Sequence, residues 1–169
     1  MQEQFVGFLS WLPPEVITVL IAMIPIFELR GAIPWALASP PGGGLEWPVA
    51  YVFAVIGNFI PVIPILLWIE PVSNWLRRYP IFDKFFDWLF ARTRRKVQKN
   101  IERYEALGLI LFVGIPLPVT GAWTGTLAAF IFGIKFKRAV LCIFAGILLA
   151  GVVVTLVSMG VISFLNFLL

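Results

Sequence analysis

Residues 107–134, "LGLILFVGIPLPVTGAWTGTLAAFIFGI", carry no charge and lie between two basic regions, so their length constrains the whole topology. Nine of the 13 Lys and Arg fall in 71–106, and Lys135, Lys137 and Arg138 follow directly after the stretch. Positive charge in short loops stays cytoplasmic, so both flanks are expected on one side. Two full crossings would take about 40 residues, because one helix needs about 20 to span a core of roughly 30 Å. Only 28 residues are present, so the stretch is expected to dip into the bilayer and return, turning at Pro116–Gly121. Four ordinary crossings are the alternative; they would place Lys135, Lys137 and Arg138 outside, against the charge rule.

The argument presumes a lipid-solvated chain, and composition supports that. The chain has 169 residues, 60% hydrophobic and 13% charged, with a mean hydropathy of +0.96 and 16 Phe and seven Trp. These values point to a single all-α integral membrane domain with aromatic side chains at the interfaces. Residues 1–13 lack the Lys or Arg of a signal n-region, so no cleavable leader is expected. With no His and one Cys, familiar zinc sites and Ser-His or Cys-His triads are excluded, and Cys142 reads as inert packing. The only aspartates, Asp83 and Asp87, lie in an amphipathic stretch, which leaves two-metal chemistry without ligands. An enzyme is not expected, and neither is a metal or other cofactor.

Four apolar stretches are readable: 16–38, 48–69, 107–134 and 139–169. The second and fourth suit spanning helices, the second kinked near Asn58–Pro64 by Pro61 and Pro64. The first is broken like the third. Within "PIFELRGAIP", Glu28 and Arg30 stand two apart among Pro25, Gly31 and Pro34. No basic residue lies in 1–29 or 39–76, so this hairpin is expected to enter from the opposite face.

Shifted by 90 positions, "GAIPWALA" (31–38) aligns with "GAWTGTLA" (121–128), sharing Gly, Ala, Leu and Ala. Each hairpin precedes a span with a small-residue stripe: Ala50, Ala54, Gly57 and then Cys142, Gly146, Ala150. Such stripes let helices approach closely in lipid. The expectation is two inverted repeats, each a re-entrant helical hairpin plus a transmembrane helix, over 14–70 and 107–169. An amphipathic basic cytoplasmic segment, 71–106, joins them, and inverted repeats of this kind build secondary transporters. In the joining segment, Ile81, Phe82, Phe85, Phe86, Leu89 and Phe90 recur at helical spacing, and Arg92, Arg94, Arg95 and Lys96 are expected as an anionic-lipid surface, with plain topogenic charge and surface anchoring as the competing use. Basic residues held against a membrane make nucleic acid an unsuitable partner.

A charge left unpaired at bilayer depth costs roughly 2.5–3.5 kcal/mol. Residues i and i+2 of a helix point about 200° apart, so Glu28 and Arg30 are expected in an opened loop supplied by Pro25, Gly31 and Pro34. Such a loop is tolerated only inside protein or beside water, which places it opposite Pro116, Pro118, Thr120, Gly121, Trp123 and Thr124. Arg30 suits a phosphate or carboxylate, and Glu28 a proton or a cationic substrate. A purely structural lock between the two is the competing reading. A scaffold that binds lipids and a partner protein is the alternative to transport, and the small bulk available to cover broken backbone is compatible with a homodimer.

"PIFELRGAIP" followed by "GIPLPVTGAWTG" resembles the family of putative small multidrug export proteins over nearly the whole chain. That family is similar in turn to the DedA/VTT superfamily, in which two re-entrant hairpins each pack with a transmembrane helix. The resemblance implies transport in the cell membrane, of a drug-like or lipid-phosphate substrate, with proton coupling. Glu28 then stands where DedA-like proteins have a first-hairpin acid. Their second-hairpin arginine is met here only by Thr120 or Gly121, so Arg30 would have to take its role.

Overall fold

The computed structural model describes residues 12–76, 78, 102–117 and 120–168. Every regular element among them is an α-helix: α1 Pro14–Met23, α2 Glu28–Leu37, α3 Trp47–Phe59, α4 Val62–Leu76, α5 Glu102–Gly114, α6 Ala122–Ile131 and α7 Phe136–Leu168. The amphipathic stretch 81–90 and the cluster Arg92, Arg94, Arg95 and Lys96 lie outside the described residues, as does Pro118.

Two segments are long and apolar enough to cross a membrane, Trp47–Trp75 and Phe136–Phe164. The first runs through α3 and α4 and is interrupted only at Ile60–Pro61, inside the range expected for the kink. The helical bonds resume at once, with Ile60 N donating to Ile56 O (3.0 Å) and Ile65 N to Pro61 O (3.1 Å). Large apolar side chains on both segments point outward, among them Trp68, Leu141 and Leu156, each more than 60% exposed. Lipid is the solvent that suits such a surface, because between apolar tails it carries no hydrophobic penalty.

The chain forms two compact units, Met1–Ile60 with Ile147–Leu169, and Pro61–Gly146. In the first, α1 packs on both α2 and α3, and α2 on α3. Its core is made of small and aliphatic residues, with Ala22, Ala32, Ile33, Ala36, Ala50, Ala54 and Ile147 fully buried. The α1–α3 seam is set by Gly57, where a Cβ would run into the Val19 carbonyl oxygen and stand 2.9 Å from the Ala22 Cβ. Tyr51 lies against Gly151 of α7 and donates its hydroxyl to Leu148 O (3.1 Å).

In the second unit, α6 packs on α4 and α5. Val113, 2% exposed, fits between two glycines. A Cβ at Gly125 would strike its Cγ2, and one at Gly146 would come within 2.6 Å of its Cβ and 2.9 Å of Ile110 O. Each unit thus brings an interrupted pair of short helices against a long apolar helix through a glycine of the small-residue stripe read from the sequence.

Candidate functional site

The break in the first apolar stretch is narrower than the residue pattern suggests. Pro25 has no amide to give Ile21 O, and Ile24 N takes that carbonyl instead (3.1 Å), closing α1. Four residues later the chain is helical again, through Glu28 N to Ile24 O (2.9 Å) and Gly31 N to Phe27 O (2.9 Å). Gly31 and Pro34, expected to hold a loop open, lie inside α2. Pro34 withholds a single amide, the one a regular helix would give Arg30 O. With Leu29, Ala32, Ile33 and Ala36 all buried, packing holds the helix through that loss. Gly31 makes room for Phe27, whose Cβ would sit 2.8 Å from an added Cβ.

Glu28 is the singular residue here. Its φ is +46°, the left-handed region that a non-glycine residue enters at about 1–2 kcal/mol. It is also 5% exposed, with a carboxylate oxygen 3.8 Å from an Arg30 guanidinium nitrogen. The twist explains the contact, because a Glu in regular helical conformation would point away from a partner two residues on. The Arg30 side chain is 27% exposed, so the acid lies inside and the base reaches toward the outside. Strain of this kind gathers where function holds it in place. Glu28→Gly is expected to be about 1 kcal/mol more stable than Glu28→Ala, since glycine alone relieves the left-handed backbone. Thermal unfolding of the two purified variants in one detergent measures the difference.

In the second unit the break lies at 115–121, as expected from Pro116 and Gly121. Thr120 ties this loop to itself: its hydroxyl accepts from Leu117 N (3.1 Å) and faces the carbonyls of Ile115 (2.8 Å) and Leu117 (3.0 Å). Thr124 donates to Gly121 O (3.3 Å), in the first turn of α6. Pro116, Thr120, Trp123 and Thr124 are partly buried and Gly121 is buried. The threonine hydroxyls engage nearby backbone, so the loop is held in shape by its own side chains.

One polar residue of the first unit was not singled out by the motifs. Asn58, 2% exposed, is buried at the end of α3. The available signal was a lone amide within a charge-free apolar run, three residues before Pro61.

Among known proteins, no curated protein and no solved structure matches the chain. A family model does match, over residues 28–153, about three quarters of the length, and it begins at the buried acid. An export family favours transport over catalysis, in keeping with two apolar helices long enough to span a membrane. By that match the chain belongs to the family described as putative small multi-drug export protein.

Proposed function

We propose that this membrane protein is a small transporter that moves an amphiphilic or phosphorylated, lipid-like substrate, with Glu28 and Arg30 as its working charges. The observation carrying the reading is the buried, left-handed Glu28 beside the half-buried Arg30. A charged residue at membrane depth is costly and usually functional, and here it is also held in strain. Arg30 presents a planar donor fork suited to a phosphate or carboxylate head. Glu28 behind it is the group that takes up and releases a proton.

The helix lengths support two re-entrant hairpins. α1, α2 and α6 have ten residues each, about 15 Å at 1.5 Å per residue, half of a bilayer core. The apolar part of α5, Glu105–Gly114, is also too short to span. Glycine docking of an interrupted pair onto a long helix in both units supports an internal repeat, inverted in topology as in secondary transporters and DedA-like proteins. On this reading 71–106 and 135–138 are cytoplasmic, Arg92, Arg94, Arg95 and Lys96 hold anionic lipid, and a homodimer covers broken backbone. Pro116, Pro118, Thr120, Gly121, Trp123 and Thr124 shape the second half of the path.

Flux of a fluorescent phospholipid and of a lipophilic cation, in vesicles reconstituted with purified protein, tests this. Glu28→Gln and Arg30→Gln should each lower flux at least tenfold while eluting from a sizing column like the wild type. Arg30→Gln should act chiefly on the anionic substrate. Wild-type flux no higher than in empty vesicles, or variants that transport normally, would reject transport and leave the scaffold reading.

A further inference from the structure

We propose that the wedge between α5 and α6 binds one resident phosphatidylethanolamine, with an acyl chain in the wedge and the ammonium head on Glu105. A cavity of about 490 Å³ opens between these helices, within the size range of small-ligand sites. Leu109, Phe112, Ala128 and Ile131 line it, and among the described residues Glu105 is the one charged side chain on its wall. Gly108 lines it too, and a Cβ there would meet nothing within 4 Å, so the space is open down to the α5 backbone. Phe112 and the neighbouring Phe132 are exposed, which opens the wedge to the surface that lipid wets.

Charge enters at one end of this cavity. Glu105 is the last charged residue before the uncharged run 106–134, and Ile134, the last residue of that run, lines the same cavity. The two ends of the run thus come to one place. α6 closes there in a glycine turn: Gly133 has a φ of +68°, Gly133 N donates to Phe130 O (3.0 Å) and Ile134 N to Ala129 O (2.9 Å). A helix C-terminus carries partial negative charge, so this turn and the half-buried Glu105 both favour a cation. Among the described residues, no ion pair engages Glu105.

These features select the lipid. The apolar wall suits a hydrocarbon chain, and the carboxylate suits an ammonium with N–H donors, because charge-assisted hydrogen bonds are the short, strong ones. Lys135 follows Ile134 directly and is exposed; it disfavours a bare cation and suits a phosphate. An ethanolamine head carries both charges in one molecule. A choline head has the same charges without N–H donors, and a glycerol head brings the anion alone. The inference concerns binding and stands apart from the transport reading, because its test needs no flux.

The test is native mass spectrometry of the purified full-length protein in detergent, with added phosphatidylethanolamine, phosphatidylcholine or phosphatidylglycerol of identical acyl chains. The wild type should hold one phosphatidylethanolamine, half-saturating at a concentration about tenfold below either other lipid. Glu105→Gln should erase that preference, so that the ethanolamine and choline lipids bind alike. Gly108→Leu fills the cavity from a position where a Cβ meets no protein atom, and should lower occupancy by every lipid about tenfold while eluting from a sizing column like the wild type. Glu105→Gln decides the matter if Gly108→Leu does not fold. Equal binding of the ethanolamine and choline lipids by the wild type, a preference retained by Glu105→Gln, or wild-type occupancy in folded Gly108→Leu overturns the site. The first of these results would mean that lipid wets the wedge without recognition of its head.

Discussion

Gly57→Leu is expected to leave no folded protein to purify, and Gly57→Ala to lower the unfolding midpoint in detergent markedly. The obstacle is backbone rather than side chain. A Cβ at residue 57 would meet the Val19 carbonyl oxygen and lie 2.8 Å from the Val19 Cα, atoms that cannot rotate aside. Overpacking a fitted core typically costs about 1–3 kcal/mol, and more where nothing can yield. Gly146→Leu should fail in the same way against Val113 and Ile110 O. Gly108 and Gly160 supply the contrast, since a Cβ at either meets nothing within 4 Å. Gly108→Ala and Gly160→Ala should therefore be neutral, or gain up to about 1 kcal/mol from helix propensity. If Gly57→Leu is as stable as Gly160→Ala, the close approach of α1 to α3 is wrong.

Cysteines at positions 100 and 137 should both react with a membrane-impermeant maleimide from the cytoplasmic side, in an otherwise cysteine-free Cys142→Ala background. The expected readout is all or none: labelling in inside-out vesicles and protection in right-side-out ones, at both positions. The ground for this is length. The apolar helices Glu105–Gly114 and Ala122–Ile131 are both too short to cross a core of roughly 30 Å at 1.5 Å per residue. The bases at Lys135, Lys137 and Arg138 meanwhile resist translocation. Opposite accessibility of the two cysteines would remove the re-entrant hairpin and, with it, the inverted repeat that favours transport.

Much was determined by residue order alone. Where the helices stop follows from which residues lack an amide or tolerate a turn, so the breaks at 24–27, 60–61 and 115–121 were legible from Pro25, Pro61, Pro116 and Gly121. The spans were legible as well, since length and hydropathy are sums along the chain. The small-residue stripes at Ala50–Ala54–Gly57 and Cys142–Gly146–Ala150 could be read as packing surfaces, because only small side chains let backbones touch. Tertiary structure decided what depends on competition between neighbours. Pro34 was expected to open a loop, yet it stays within α2, because four buried neighbours outweigh one lost hydrogen bond. The left-handed twist of Glu28, which turns an i, i+2 pair toward contact, is a backbone state that no residue pattern announces. Whether an amide in an apolar run finds a partner likewise depends on residues distant in sequence.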